Sequence, residues 1–193
     1  MRYADQPALR QLANAISDTE CGDQRLDARF ELYVFEDHHH PGSLSAASPL
    51  QAPAKSPISL TRHFINALSE TYPDYQFSGL TYDSFARRDD LGSVVNKINQ
   101  ALGTVLERPL PGILSDVWRT LRSVVSFPDC EVYELVEDPI DEAKLWSFCY
   151  FWFDRRYHRF LLLSCRARSR LFRNSSDSEA SLMSWEKSSM LDD

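Results

Sequence analysis

The sequence predicts an α/β fold of the α+β type, in which a central, mainly antiparallel sheet of about five strands is flanked by helices. Three observations carry this expectation. Apolar residues recur at helical spacing in four separate segments, with proline or aspartate punctuation at their ends. Strand-like runs cluster in the C-terminal third, and the last two are separated by a four-residue turn that suits a hairpin. Two polar stretches, 37–57 and 174–193, hold too few large apolar residues to offset their ordering entropy and read as a disordered internal linker and tail. A single globular domain over 1–173 is therefore expected, interrupted by the mobile linker 37–57 and followed by an acidic, serine-rich tail over 174–193.

Taken in order, Pro7 opens a short amphipathic helix carrying Leu9, Leu12, Ala13 and Ile16 on one side, and Gly22-Asp23 closes it. Over 29–35, Phe30, Leu32 and Val34 alternate with Arg29, Glu31, Tyr33 and Phe35, the period of a strand. After the linker, Ser56-Pro57 supplies a cap and a first-turn proline for a helix carrying Leu60, Phe64, Ile65, Leu68 and Tyr72, stopped by Pro73. Asp89-Asp90 caps the helix that carries Leu91, Val94, Val95, Ile98, Leu102, Val105 and Leu106. Pro109 and Pro111 end it, and a further stripe runs from Ile113 to Val125 before Pro128.

Three strands are expected next, over 130–136, 145–153 and 158–165. In 145–153 both alternating faces are apolar: Leu145, Cys149, Phe151 and Phe153 on one, Trp146, Phe148, Tyr150 and Trp152 on the other. A strand apolar on both faces belongs in the middle of a sheet covered on both sides, so these aromatics are expected in the core. The turn Asp154-Arg155-Arg156-Tyr157 projects from that rigid hairpin and is basic.

Charge is unevenly spread. The net charge is −7, yet 155–173 holds seven arginines and no acid; the other 14 basic residues face all 28 acids, a balance of −14. That excess argues against a general duplex-DNA binder, whose affinity comes from neutralising phosphates. An alternative function, a nucleic-acid-binding module built on the arginine-rich segment 155–173, stays open at this level. No apolar run approaches the ~20 residues that span a bilayer, and no signal-like apolar block follows Met1, so cytoplasm or nucleus is the expected address.

Enzymatic signatures are sparse. The six glycines form neither dinucleotide nor P-loop patterns, and no nucleophile elbow appears. The four cysteines, Cys21, Cys130, Cys149 and Cys165, show no zinc-ligand spacing and read as reduced thiols. Cys165 and His158 lie seven apart on one strand, some 23 Å at ~3.3 Å per residue, and cannot pair. Cys149 and His158 could meet across the hairpin. The run Glu36-Asp-His-His-His40 offers metal donors, but consecutive side chains rarely converge on one ion. No catalytic residue, cofactor or functional metal is expected. Serines in phosphorylation contexts do occur: Ser48 and Ser56 before proline, Ser169 and Ser176 after arginines.

At the hairpin the chain resembles the Maf-type global repressor family of RNA polymerase III transcription. The resemblance rests on Leu145-Trp-Ser-Phe148, Tyr150-Phe151, Arg155-Arg156, then Phe160 to Ser164-Cys165-Arg166. It also rests on Pro73-Asp74-Tyr75-Gln76-Phe77-Ser78, and on Glu20-x-Gly22-Asp23 followed by Arg29-x-Glu31-x-Tyr33. Weaker agreement continues through Val94-Val95-Asn96, Trp118 and 130–133. These boxes fall in the family's order.

The resemblance implies a non-catalytic protein with Tyr75, Phe77, Trp146, Phe148, Tyr150 and Phe151 in its structural boxes. It implies binding to RNA polymerase III, which blocks recruitment by the promoter-bound initiation factor and lowers transfer-RNA and 5S-RNA synthesis under stress. Kinases and phosphatases would control it, and a nuclear import receptor would carry it between cytoplasm and nucleus; no membrane and no specific nucleic acid are expected as partners. Arg155, Arg156 and Arg159 are the expected polymerase contacts at the hairpin end, with solvated turn charges and an import signal as the competing readings.

Overall fold

A computed structural model describes residues 1–35, 57–136, 138–140 and 144–170, and the structural statements below concern these. Apolar periodicity decides most of the elements. The first strand, β1 (Arg2–Ala4), precedes helix α1 (Pro7–Ser17), where the helical stripe of Leu9, Leu12, Ala13 and Ile16 is buried. Gly22, at φ 65°, makes the left-handed turn that returns the chain as β2 (Gln24–Val34). Helix α2 (Pro57–Thr71) follows, then β3 (Phe85–Arg88). The Asp90 carboxylate accepts from the Ser93 amide and caps α3 (Leu91–Leu106). Helix α4 (Ile113–Val124) leads into β4 (Cys130–Leu135), β5 (Lys144–Asp154) and β6 (Arg159–Ser169).

All pairings are antiparallel, in the order β1-β2-β6-β5-β4-β3. The hairpin β5–β6 is therefore central, and its two-faced aromatic run is core as its sequence demands. Phe148, Tyr150, Trp152, Leu161 and Leu163 pack under α1, α3 and α4. Cys149, Phe151, Phe153, Phe160 and Leu162 pack under α2. The contact is tight: the Phe151 and Phe64 rings stack with centroids 4.2 Å apart. Among the described residues no helix is long and apolar enough to cross a membrane.

The expected, mainly antiparallel sheet flanked by helices is present, with six strands among the described residues; β1 and β3 are too short to show alternation in the sequence. The structure corrects two expectations. β2 begins at Gln24 and β6 runs to Ser169, well beyond the expected 29–35 and 158–165. In those extensions one face is apolar (Leu26, Ala28, Ala167) while the other carries Arg25, Asp27, Arg166 and Arg168, which disguises a strand as a polar loop. Leu145 was placed on a buried face, yet a register shift between Lys144 and Trp146 leaves it 53% exposed. The linker 37–57, apart from Pro57, and the tail 174–193 lie outside the described residues.

This packing sets a contrast that unfolding measurements can check. Phe151→Ala should lower the unfolding free energy by about 3–5 kcal/mol through cavity formation. Leu145→Ala should change it by no more than about 0.5 kcal/mol. Urea titrations of both variants that gave equal losses would contradict the register.

Candidate functional site at the basic hairpin turn

The turn joining β5 to β6 is organised by a carboxylate that has no contact with water. Asp154, the last residue of β5, is 0% exposed. Its Oδ1 accepts hydrogen bonds from the Arg156 and Tyr157 amides at 3.1 and 3.2 Å, while its Oδ2 accepts from Arg159 Nε at 3.4 Å. A carboxylate this deeply buried is stable only when its lone pairs are occupied. His158 closes the turn in the left-handed region at φ 47°. Its carbonyl accepts from the Phe35 amide at 2.9 Å, which ties the turn to the end of β2.

The three arginines expected as contacts are held differently. Arg155 reaches across β4 to Glu131, Nη2 to Oε1 at 2.7 Å, and that carboxylate is also met by Arg87 at 3.6 Å. Tyr133 donates its hydroxyl to the other Glu131 oxygen. Arg159 is only half-buried and paired to Asp154, so the expectation that it stands free at the hairpin end is corrected. Arg156 is exposed and has no carboxylate partner among the described residues. Between Arg156 and Arg159 stands Tyr157, 53% exposed, with the guanidinium carbons 5.4 and 4.7 Å from its ring centroid. The tip thus presents an aromatic ring flanked by two cations, a cation–π arrangement on a rigid base.

Sequence reasoning found the arginines but missed Asp154 as their brace, Glu131 as the anchor of Arg155, and Tyr157. Glu131 could not have been found, since its partner is 24 positions away. Asp154 carried a signal: an aspartate at a turn's first position often bonds amides two and three residues on.

The remaining candidates fall elsewhere. Phe77 and Phe151 lie in the core beneath α2, with Tyr75 half-buried against it. Trp146, Phe148 and Tyr150 form a stacked ladder on the opposite face, with centroids 6.3 and 5.9 Å apart. Ser169 is half-buried at the end of β6, opposite Gln24. Ser48, Ser56, Ser176 and the histidines 38–40 lie outside the described residues.

Among the described residues no activated cysteine nucleophile is assembled. Burial pushes the Cys149 and Cys165 thiols well above the ordinary range, and burial followed by Asp154 pushes Cys130 up to about 12. The Cys149–His158 pairing is overturned by register: Cys149 faces Ser164, six residues along β6 from His158, or about 20 Å at ~3.3 Å per residue. Among the described residues no three His, Cys, Asp or Glu side chains are placed to share a metal ion.

Comparison with known proteins adds the family. The profile described as Maf1 regulator matches residues 2–164. The repressor of RNA polymerase III transcription maf1 from Schizosaccharomyces pombe is 30% identical over 141 residues, covering 70% of this chain and 58% of that protein. The repressor of RNA polymerase III transcription from Dictyostelium discoideum is 29% identical over 113 residues, 56% of this chain and 41% of its own. The chain thus spans about half the length of these two relatives. The crystal structure of citrus MAF1 superimposes with a TM-score of 0.63 at 20% identity, covering 84% of this chain and 99% of that one, a likeness of fold.

Two outcomes follow from the site. Asp154→Ala should cost about 1–3 kcal/mol because turn donors lose their acceptor, and Asp154→Asn should cost less because an oxygen remains. Hydrogen exchange at the Arg156 and Tyr157 amides should accelerate in the alanine variant; unchanged rates would remove Asp154 as the brace. In native protein at pH 8, iodoacetamide should alkylate Cys21 first and reach Cys149 and Cys165 only after unfolding, as mass spectrometry of timed samples would show.

Proposed function

This chain belongs to the Maf1 regulator family, and from that membership we propose that it is a negative regulator of RNA polymerase III transcription. It acts without catalysis. It binds the polymerase and prevents recruitment to promoters already occupied by the initiation factor, so repression is stoichiometric. Kinases and phosphatases set the active fraction, and an import receptor moves the protein between cytoplasm and nucleus.

The observation that carries this reading is the tip of the central hairpin, where exposed Tyr157 stands between Arg156 and Arg159 on a turn fixed by Asp154. Tyrosine and arginine dominate the residues that supply most binding energy in protein interfaces. Pre-ordering them on a hairpin end lowers the entropy lost on docking. A basic rim also accelerates encounter with an acidic surface. A nucleic-acid reading gains little from the tip, because Arg155 and Arg159 are already paired with carboxylates.

The test is binding of purified, unphosphorylated protein to RNA polymerase III, with RNA polymerase II as control. Selective binding that blocks promoter-dependent initiation is the expected result. Arg156→Glu combined with Tyr157→Ala should then weaken binding at least tenfold with an unchanged melting temperature. Unaltered affinity in the double variant would take the hairpin tip out of the interface, and binding to neither polymerase would overturn the proposed function.

A further inference from the structure

The hairpin tip has a property that its arginines do not explain, and it lies in the hydroxyl of Tyr157. The chain has eight tyrosines, all within the described residues. Four of them donate their hydroxyls inside the fold: Tyr33 to Glu31 at 2.7 Å, Tyr72 to Ser164 at 3.0 Å, Tyr133 to Glu131 at 3.0 Å and Tyr150 to Glu134 at 3.3 Å. The Tyr75 hydroxyl accepts from Arg168 at 3.1 Å, and Tyr3 donates to Asp5 at 3.4 Å. Two remain, Tyr82 at 49% exposure and Tyr157 at 53%, whose hydroxyls have no hydrogen-bond partner among the described residues.

Their surroundings separate the two. Tyr82 precedes Asp83, and among the described residues no guanidinium lies over its ring. Tyr157 stands between Arg156 and Arg159, whose guanidinium carbons are 5.4 and 4.7 Å from its ring centroid. An anionic group added to the Tyr157 oxygen therefore meets two forked donors, whereas the same group on Tyr82 stands beside a carboxylate. The backbone that presents Tyr157 is fixed: its amide donates to Asp154 at 3.2 Å, and the following carbonyl, of His158, accepts from Phe35. A projecting point of this kind can enter the concave cleft of a modifying enzyme without unfolding.

We propose that Tyr157 is a phosphorylation site for a protein tyrosine kinase, and that its phosphate, clasped by Arg156 and Arg159, switches off the hairpin tip as a polymerase contact. The switch rests on the reading of the tip as the contact with RNA polymerase III. In the transfer, the bond between the γ-phosphorus of ATP and its bridging oxygen breaks, and a bond from that phosphorus to Tyr157 Oη forms. ADP leaves with the electron pair, and the phenolic proton passes to the kinase's base. A phosphatase reverses the step with water, releasing inorganic phosphate. The ester adds about −1.5 to −2 charges at neutral pH, which opposes the charge of the two flanking guanidinia. Both arginines turn from the ring face to the phosphate oxygens as charge-assisted pairs. The tip thereby loses its exposed cation and its cation–π arrangement together. Complementarity towards an acidic surface goes with them, which slows encounter and weakens the complex.

The full chain, incubated with ATP, magnesium and the catalytic domain of a broad-specificity tyrosine kinase, tests the acceptor site by peptide mapping in a mass spectrometer. Tyr157 should be phosphorylated at least tenfold faster than Tyr82 or any other tyrosine, and Tyr157→Phe should remove most of the incorporated phosphate. Affinity for purified RNA polymerase III should then fall at least tenfold in the phosphorylated protein and return after phosphatase treatment. Tyr82→Phe should leave both results as they are. The clasp has its own readout: phosphatase should strip the phosphate from Arg156→Gln at least threefold faster than from the unsubstituted protein. Faster labelling of Tyr82, no labelling of Tyr157, unchanged polymerase affinity after labelling, or equal stripping rates in Arg156→Gln would each overturn the proposal. The mapping involves no polymerase. Failure of the unmodified protein to bind that enzyme would therefore overturn the functional reading and the switch with it, while the mapping still decides the acceptor site.

Discussion

The fold depends on one constraint: β5 and β6 are apolar on both faces. From Phe148 to Phe153 and from Phe160 to Leu163 every side chain is buried, alternately up and down. Such strands cannot sit at an edge or face water. They require flanking strands on either side and a helical layer above and below. α2 covers one face, and α1, α3 and α4 cover the other. The edges are left to β1 and β3, only three and four residues long, and β3 carries Arg87 and Arg88, charges that discourage pairing with other chains.

That same constraint explains where the charge goes. β6 is a rigid rod of 11 residues, about 36 Å at ~3.3 Å per residue. Its core-facing middle excludes charge, so the arginines of 155–173 that the structure describes are pushed to its two ends. Arg155, Arg156 and Arg159 gather at the hairpin turn, while Arg166, Arg168 and Arg170 gather where the strand leaves the core. In sequence they look like one basic block. In space they are two surfaces of different character, one a projecting tip and the other a flat row.

What could be read from the sequence was what burial writes into it. The helical stripes at Leu9, Phe64, Ile98 and Val117 and the two-faced run at Phe148 are spacings of apolar residues, and each is placed in the core as expected. Polar strand extensions were not legible, because Arg25, Asp27, Arg166 and Arg168 spoil the apolar alternation while the backbone ladder continues through them. The tip was legible as a basic turn, and its brace only in part: the position of Asp154 at the start of the turn signals the two amide bonds, but not the Arg159 guanidinium that also converges on it. Pairings such as Arg155–Glu131 depend on strand order, which local periodicity does not encode.

The two buried charges at opposite ends of the hairpin show why burial alone does not assign a role. Asp154 is enclosed with its acceptors filled by two amides and a guanidinium, so its charge is spent in holding a turn. Arg166 is enclosed to the same degree but faces an aromatic ring and a carboxylate shared with another arginine. The first arrangement is electrostatically closed: adding a charged partner would gain nothing at Asp154 itself. The second shares its face with Arg25, Arg168 and Lys144. A satisfied buried charge fixes the shape that is presented to a partner, and at the hairpin turn Asp154 does this for the exposed Tyr157 and Arg156.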